Sequence, residues 1–191
     1  MRKKRRPPQR QEPIIGARLR EFARRNRAII RAYLVFFGAI LLFATGLFIM
    51  SVKGLFSPTL TALYARATGL VLNLFGAGVR VSGSLISGPR YTMEVIPGCT
   101  DLYITPIFLA AVIAYPSRLR AKLLGIGLGL PAIYLLNLVR LTSLFYIGLY
   151  LPRFADRAHL LVWQSLMIIL TLLLWLLWVE RFAHAPQKRR S

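Results

Sequence analysis

Sulfur, imidazole and carboxylate are all scarce in this chain. A single cysteine among 191 residues excludes an internal disulfide. Two histidines and six scattered acidic residues give no ligand spacing, so no metal and no other cofactor is expected. With so little acid, 26 Lys and Arg leave a formal net charge of +20. The basic residues come without the aromatic or glycine pattern of a nucleic-acid binder, so no nucleic-acid partner is expected. No internal repeat and no linker divides the chain into separate domains.

Apolar sequence is abundant. The chain is 56% hydrophobic, with mean hydropathy +0.56. Long uncharged runs in such a composition mark an integral membrane protein. Twelve of the basic residues fall within 1–31, beside the first apolar run. That asymmetry predicts a cytosolic amino terminus attracted to anionic membrane lipid. Residues 14–31 have the pattern of a basic helix lying along the surface. The first run, 32–50, is longer than the apolar core of a cleaved leader and no small-x-small site follows it, so it reads as an uncleaved anchor.

The expected fold is an all-α membrane bundle with about four transmembrane helices, an outer interfacial helix and a small β-hairpin. Residues 1–31 form a basic tail, 32–183 the membrane-embedded domain, and 184–191 a second basic tail. Spans are predicted at 32–50, 100–115, 123–147 and 160–179, with the outer helix and hairpin within 57–96. Leu60, Leu63, Tyr64, Ala67, Leu70, Val71 and Leu74 recur at helical spacing. The period then changes to alternation, Val79, Val81 and Leu85, then Tyr91, Met93 and Val95, around a turn signal at Ser87-Gly88-Pro89-Arg90. The loop Ser117-Arg118-Leu119-Arg120-Ala121-Lys122 is basic and reads as cytosolic, whereas 152–158 reads as a short outer loop. Trp175 and Trp178 read as interfacial anchors. Both termini then lie in the cytosol of a multi-pass cytoplasmic-membrane protein.

That topology carries three chemically distinctive residues to one leaflet. Arg140 stands in an otherwise apolar span, where an arginine costs about 3 kcal/mol on insertion scales. It lies about 25 Å along the helix from Leu123, close to the far face of a hydrocarbon core about 30 Å thick. Cys99 begins the second span and His159 the fourth. A thiolate is a nucleophile whose pKa falls beside Arg or protonated His. Histidine is the usual acid or base near neutral pH. An arginine that keeps its proton stabilises anions. Asn137, one turn before Arg140, can orient it. Asp101 can pair with Arg140 or orient His159. Each residue also has a plainer reading: a small packing thiol, an interfacial histidine, a snorkelling arginine.

Pro97-Gly98-Cys99 after a hairpin, Asn137-Leu138-Val139-Arg140 in an apolar helix, and His159 opening the last span together resemble the exosortase/archaeosortase family over residues 32–178. The resemblance implies a membrane-embedded cysteine transpeptidase or protease. Its substrates would be exported proteins ending in a short motif, an apolar helix and a basic cluster. Cys99 would be the acyl-thioester nucleophile, with Arg140 and His159 completing the catalytic set at the outer face. The family often has Ser-Gly after its cysteine, whereas Thr100-Asp101 follow here. A non-catalytic membrane scaffold with a lipid-docking basic tail is the alternative expectation. A small transporter is a weaker one, because no inverted repeat or continuous polar path accompanies the single buried charge.

Overall fold

The computed structural model describes residues 24–52 and 58–183. The basic tails and the surface helix expected at 14–31 therefore lie wholly or mostly outside the described residues. The element order is α1 (Arg27–Val52), α2 (Pro58–Leu74), β1 (Arg80–Ser82), β2 (Leu85–Ser87), β3 (Thr92–Glu94), a 3-10 turn (Pro97–Cys99), α3 (Ile104–Ala114), α4 (Leu119–Tyr150), α5 (Pro152–Arg157), a π segment (Ala158–Trp163), α6 (Gln164–Trp178) and a second π segment (Val179–Ala183).

Among the described residues, three helices are long and apolar enough to cross a membrane: Arg27–Met50, Leu119–Tyr150 and Pro152–Ala183. A fourth, α3, is apolar but has 11 residues, about 17 Å at 1.5 Å per residue. The arrangement is the expected all-α membrane bundle. Wide apolar surfaces on α1 and α6 remain exposed, as lipid-facing helices require. α1 is peripheral: none of its side chains from Arg27 to Met50 is buried, and it packs chiefly on α3.

Within a bilayer, helices gain little from hiding apolar surface from water, so close packing and small residues hold them together. Three glycines of α4 show this directly. A Cβ at Gly125 would come within 2.4 Å of the Trp178 ring, at Gly129 within 2.3 Å of Phe108, and at Gly148 within 2.2 Å of Tyr91. Each aromatic from another element is thus seated on a bare stretch of α4 backbone. Gly129→Ala is expected to destabilise the bundle by about 1–3 kcal/mol, since overpacking forces the ring aside. Thermal unfolding in mild detergent measures it.

Three local expectations change. The single hairpin is a three-stranded antiparallel meander, β1-β2-β3, with Val81 opposite Ile86 and Ile86 opposite Met93. The extra turn is Gly83-Ser84, with Gly83 at φ 59°. Glycine at the first position of a two-residue loop closes a tight hairpin. The outer loop expected at 152–158 is helical. Leu151, at φ −134° and ψ 58°, forms the joint, and Pro152 starts the new helix, a position where its missing N–H costs nothing. Trp178 is a core residue and not an interfacial anchor: it is buried and donates its indole N–H to the Ala121 carbonyl at 2.8 Å.

Two cores result. Phe108, Val112, Ala121, Ile133 and Trp178 pack at the end of the bundle near the α3–α4 loop. At the other end the sheet and α2 close over α4 through Tyr64, Leu72, Val79, Ile86, Val95, Leu141 and Phe145, and Cys99 belongs to this second core.

Candidate active site

Cys99 sits on a turn that proline and threonine define. Ile96 is extended, and Pro97 opens the 3-10 turn at a position that suits its fixed φ. The Cys99 N–H donates to Ile96 O at 2.8 Å. Thr100 folds back, its backbone N–H and its hydroxyl both donating to Pro97 O, at 3.1 and 2.7 Å. This capping delays the helix, so α3 starts at Ile104 where the span had been expected from 100. Cys99 is consequently held on a fixed turn above the short helix, with 8% of its surface exposed.

α4 supplies two groups to that turn. Asn137 is fully buried, and its Nδ2 donates to the Cys99 carbonyl at 3.0 Å. It therefore holds the turn of Cys99, whereas the sequence suggested that it would orient Arg140. Asn137→Leu is expected to lower stability by about 1–3 kcal/mol by orphaning that buried carbonyl, read by thermal unfolding in detergent. Arg140, one helical turn on, is the largest fully buried side chain, at 1% exposure. One of its terminal nitrogens lies 3.5 Å from Gly98 O and 3.4 Å from His159 Nδ1. Its Nε has no hydrogen-bond partner, and no ion pair to it occurs among the described residues. A buried guanidinium without a carboxylate is a standing site for negative charge.

His159 completes the cluster. It stands in the π segment, where one extra residue per turn re-aims side chains, as π-bulges at functional sites commonly do. Its Nε2 is 4.0 Å from Cys99 Sγ. Because arginine has no acceptor, Nδ1 must accept from Arg140, and the neutral ring then carries its proton on Nε2, facing sulfur. Cys99, Arg140 and His159, separated by 40 or more positions from the first to the second, thus meet in one cluster.

Asp101 joins differently from the two ways expected. Its carboxylate accepts from the Tyr64 hydroxyl of α2 and pairs with neither Arg140 nor His159. Burial, and then that hydrogen bond, push the Tyr64 phenol far above its ordinary value. Tyr64 was legible only as a member of an apolar stripe; nothing in its spacing marked it as a clamp on the turn that follows Cys99. Burial also pushes the Cys99 thiol up, against the opposing pull of the Ile96 backbone hydrogen bond and the Arg140 charge. The resting cysteine is therefore a buried thiol. Alkylation of Cys99 by a small uncharged reagent is expected to have its midpoint above the ordinary thiol value of about 8.5, in a rate-against-pH measurement on the substrate-free protein. The sequence alone had suggested a lowered value, because it shows charges but not burial. No group of three or more metal-ligating side chains occurs among the described residues.

The family model for transmembrane exosortases matches residues 25–178. The chain belongs to that family. No curated protein and no solved structure matches it. As an exosortase it is a multi-pass membrane protein of a protein-sorting transpeptidase family, and the match spans every element that builds the cluster, from α1 to the end of α6.

Proposed function

We propose that this exosortase cleaves the C-terminal sorting signal of exported proteins through an acyl-thioester on Cys99. The observation that carries the reading is the convergence of one thiol, one imidazole and one unpaired buried guanidinium, with Sγ 4.0 Å from His159 Nε2 and Arg140 3.4 Å from His159 Nδ1. The substrate carbonyl approaches Sγ. Arg140 turns from Nδ1 of His159 toward the carbonyl oxygen, and the neutral ring shifts its proton by way of solvent from Nε2 to the freed Nδ1. Nε2 then takes the Sγ proton, leaving an imidazolium that faces the thiolate through Nε2–H. Sγ bonds to the acyl carbon, the amide C–N bond breaks, and the leaving amine takes the Nε2 proton. Water or an acceptor amine next attacks the thioester, gives its proton to His159, and restores the thiol. Water makes the protein a protease; an amine makes it a transpeptidase.

The substrate's apolar helix and basic tail would insert by the same charge rule as the enzyme. Its scissile bond would then lie at the outer face, where Arg118, Arg120 and Lys122 at the opposite end of α4 leave the cluster. The scaffold alternative has Arg140 meet a partner's carboxylate, and it gives no role to the thiol and the imidazole gathered beside that guanidinium. The test is trapping: membranes holding enzyme and a substrate with motif, apolar helix and basic cluster should yield a covalent adduct on the Cys99 peptide that hydroxylamine releases. An adduct elsewhere, or one resistant to hydroxylamine, overturns the thioester.

A further inference from the structure

We infer that the end of the bundle remote from Cys99 carries a binding site for one anionic phospholipid. Between α1 and α6, floored by α3, runs an apolar cleft of about 490 Å³ walled by Phe36, Ile107, Ala111, Leu172 and Trp175. It opens into a second space of about 770 Å³ bordered by Arg31, Arg118 and Lys122. Ala32, Ala114, Tyr115 and Pro116 line both, so the two are continuous. Among the described residues, no acidic side chain lines either one. An acyl chain in the cleft with a phosphate between the three cations matches both halves: apolar wall to chain, positive mouth to anion.

Polar detail favours lipid over a protein helix. Thr171, buried at 7% exposure, and Trp175 belong to the cleft wall, and the Oγ1 of one and the Nε1 of the other have no hydrogen-bond partner. Trp175 stacks edge-on against Tyr115 at the junction of cleft and mouth. Ester oxygens of a glycerolipid sit at that depth, just below the phosphate, and can accept from either donor once its side chain turns toward the cleft, since both atoms are buried while the cleft is empty. A transmembrane helix has its backbone acceptors already used. Of the three cations, Lys122 is already committed to the Ile113 carbonyl, whereas Arg31 and Arg118 are exposed and can turn to the phosphate.

The site is tested on the full chain reconstituted in nanodiscs of phosphatidylglycerol and phosphatidylcholine, then stripped in mild detergent and weighed by native mass spectrometry. The expected result is one retained phosphatidylglycerol, enriched about 10-fold over phosphatidylcholine, as a difference of roughly 1.4 kcal/mol gives. The double variant Arg31→Gln/Arg118→Gln, on exposed positions that spare the fold, should abolish the enrichment. Ala111→Trp, which fills the cleft, should abolish retention of both lipids. Equal retention of the two lipids by the unaltered protein overturns the proposal, and so does enrichment that survives Arg31→Gln/Arg118→Gln. Retention unaffected by Ala111→Trp removes the cleft from it.

Discussion

Cys99→Ala is expected to abolish processing of a C-terminally tagged substrate while leaving the protein inserted and folded. The size of the loss follows from the chemistry. Without sulfur no acyl-enzyme forms, and removal of a nucleophile from a coupled catalytic set costs on the order of 10⁴–10⁶ in rate, far below the detection limit of an immunoblot that follows substrate length. Folding should be spared because the thiol contributes a small side chain to the second core, a cluster it shares with Tyr64, Leu141 and Phe145. The fixed elements of the turn, Pro97 O capped by Thr100 and the Cys99 carbonyl held by Asn137, use backbone atoms that alanine retains. Accumulated full-length substrate, together with an unchanged melting profile of the variant, is the predicted pair of results. Complete processing by Cys99→Ala would remove the thiol from the reaction. Cys99→Ser keeps the size and a hydroxyl, but its much higher pKa leaves it inactive at neutral pH, so it should behave like alanine.

How far the sequence alone carries the structure depends on the kind of interaction. Apolar runs declare themselves, because a bilayer admits only helices whose backbone is satisfied internally; α1, α4 and α6 were legible for that reason. The turn at Ser87-Gly88-Pro89-Arg90 was also legible, and Gly88 N–H does bond to Tyr91 O at 2.9 Å. The second turn at Gly83-Ser84 was not, because the alternation of Val81 and Leu85 continues across it and hides the reversal. Around the site, residue types pointed to Cys99, Arg140 and His159 through cost and chemistry. Their partners could not be read, since those depend on which helix faces meet. Spacing alone allows Asn137 to face Arg140 as readily as the Cys99 carbonyl, and the choice is made by the 3-10 turn, whose geometry rests on Thr100 folding back to Pro97. The acidity of Cys99 was misjudged for a related reason: sequence reveals a nearby positive charge but not the desolvation that outweighs it.

Arg140→Lys should lower processing by about 10²–10³, the loss typical when one preorganised oxyanion donor is removed, although the charge is conserved. The guanidinium reaches Gly98 O and His159 Nδ1 from one terminal nitrogen and leaves Nε free. A lysine ammonium is a single point on a shorter reach and cannot present the planar fork of donors that lets Arg140 turn from the ring nitrogen to the oxyanion. It also gives up its proton more readily when buried, and a neutral amine in this pocket would supply no field at all. The variant separates catalysis from architecture, because a Lys side chain fills most of the same volume and the helix around it is unchanged. The discriminating readouts are two. Covalent adduct on Cys99 should fall in parallel with product, since the oxyanion forms before the thioester does. Truncation to Arg140→Gly should be partly rescued by millimolar guanidinium ion, which fits the vacated space and brings back the planar donor. Rescue of product formation by guanidinium but not by ammonium would tie the loss to the fork of donors. Arg140→Lys protein with full activity would instead show that positive charge alone suffices, and the role of the planar guanidinium in receiving the oxyanion would fall.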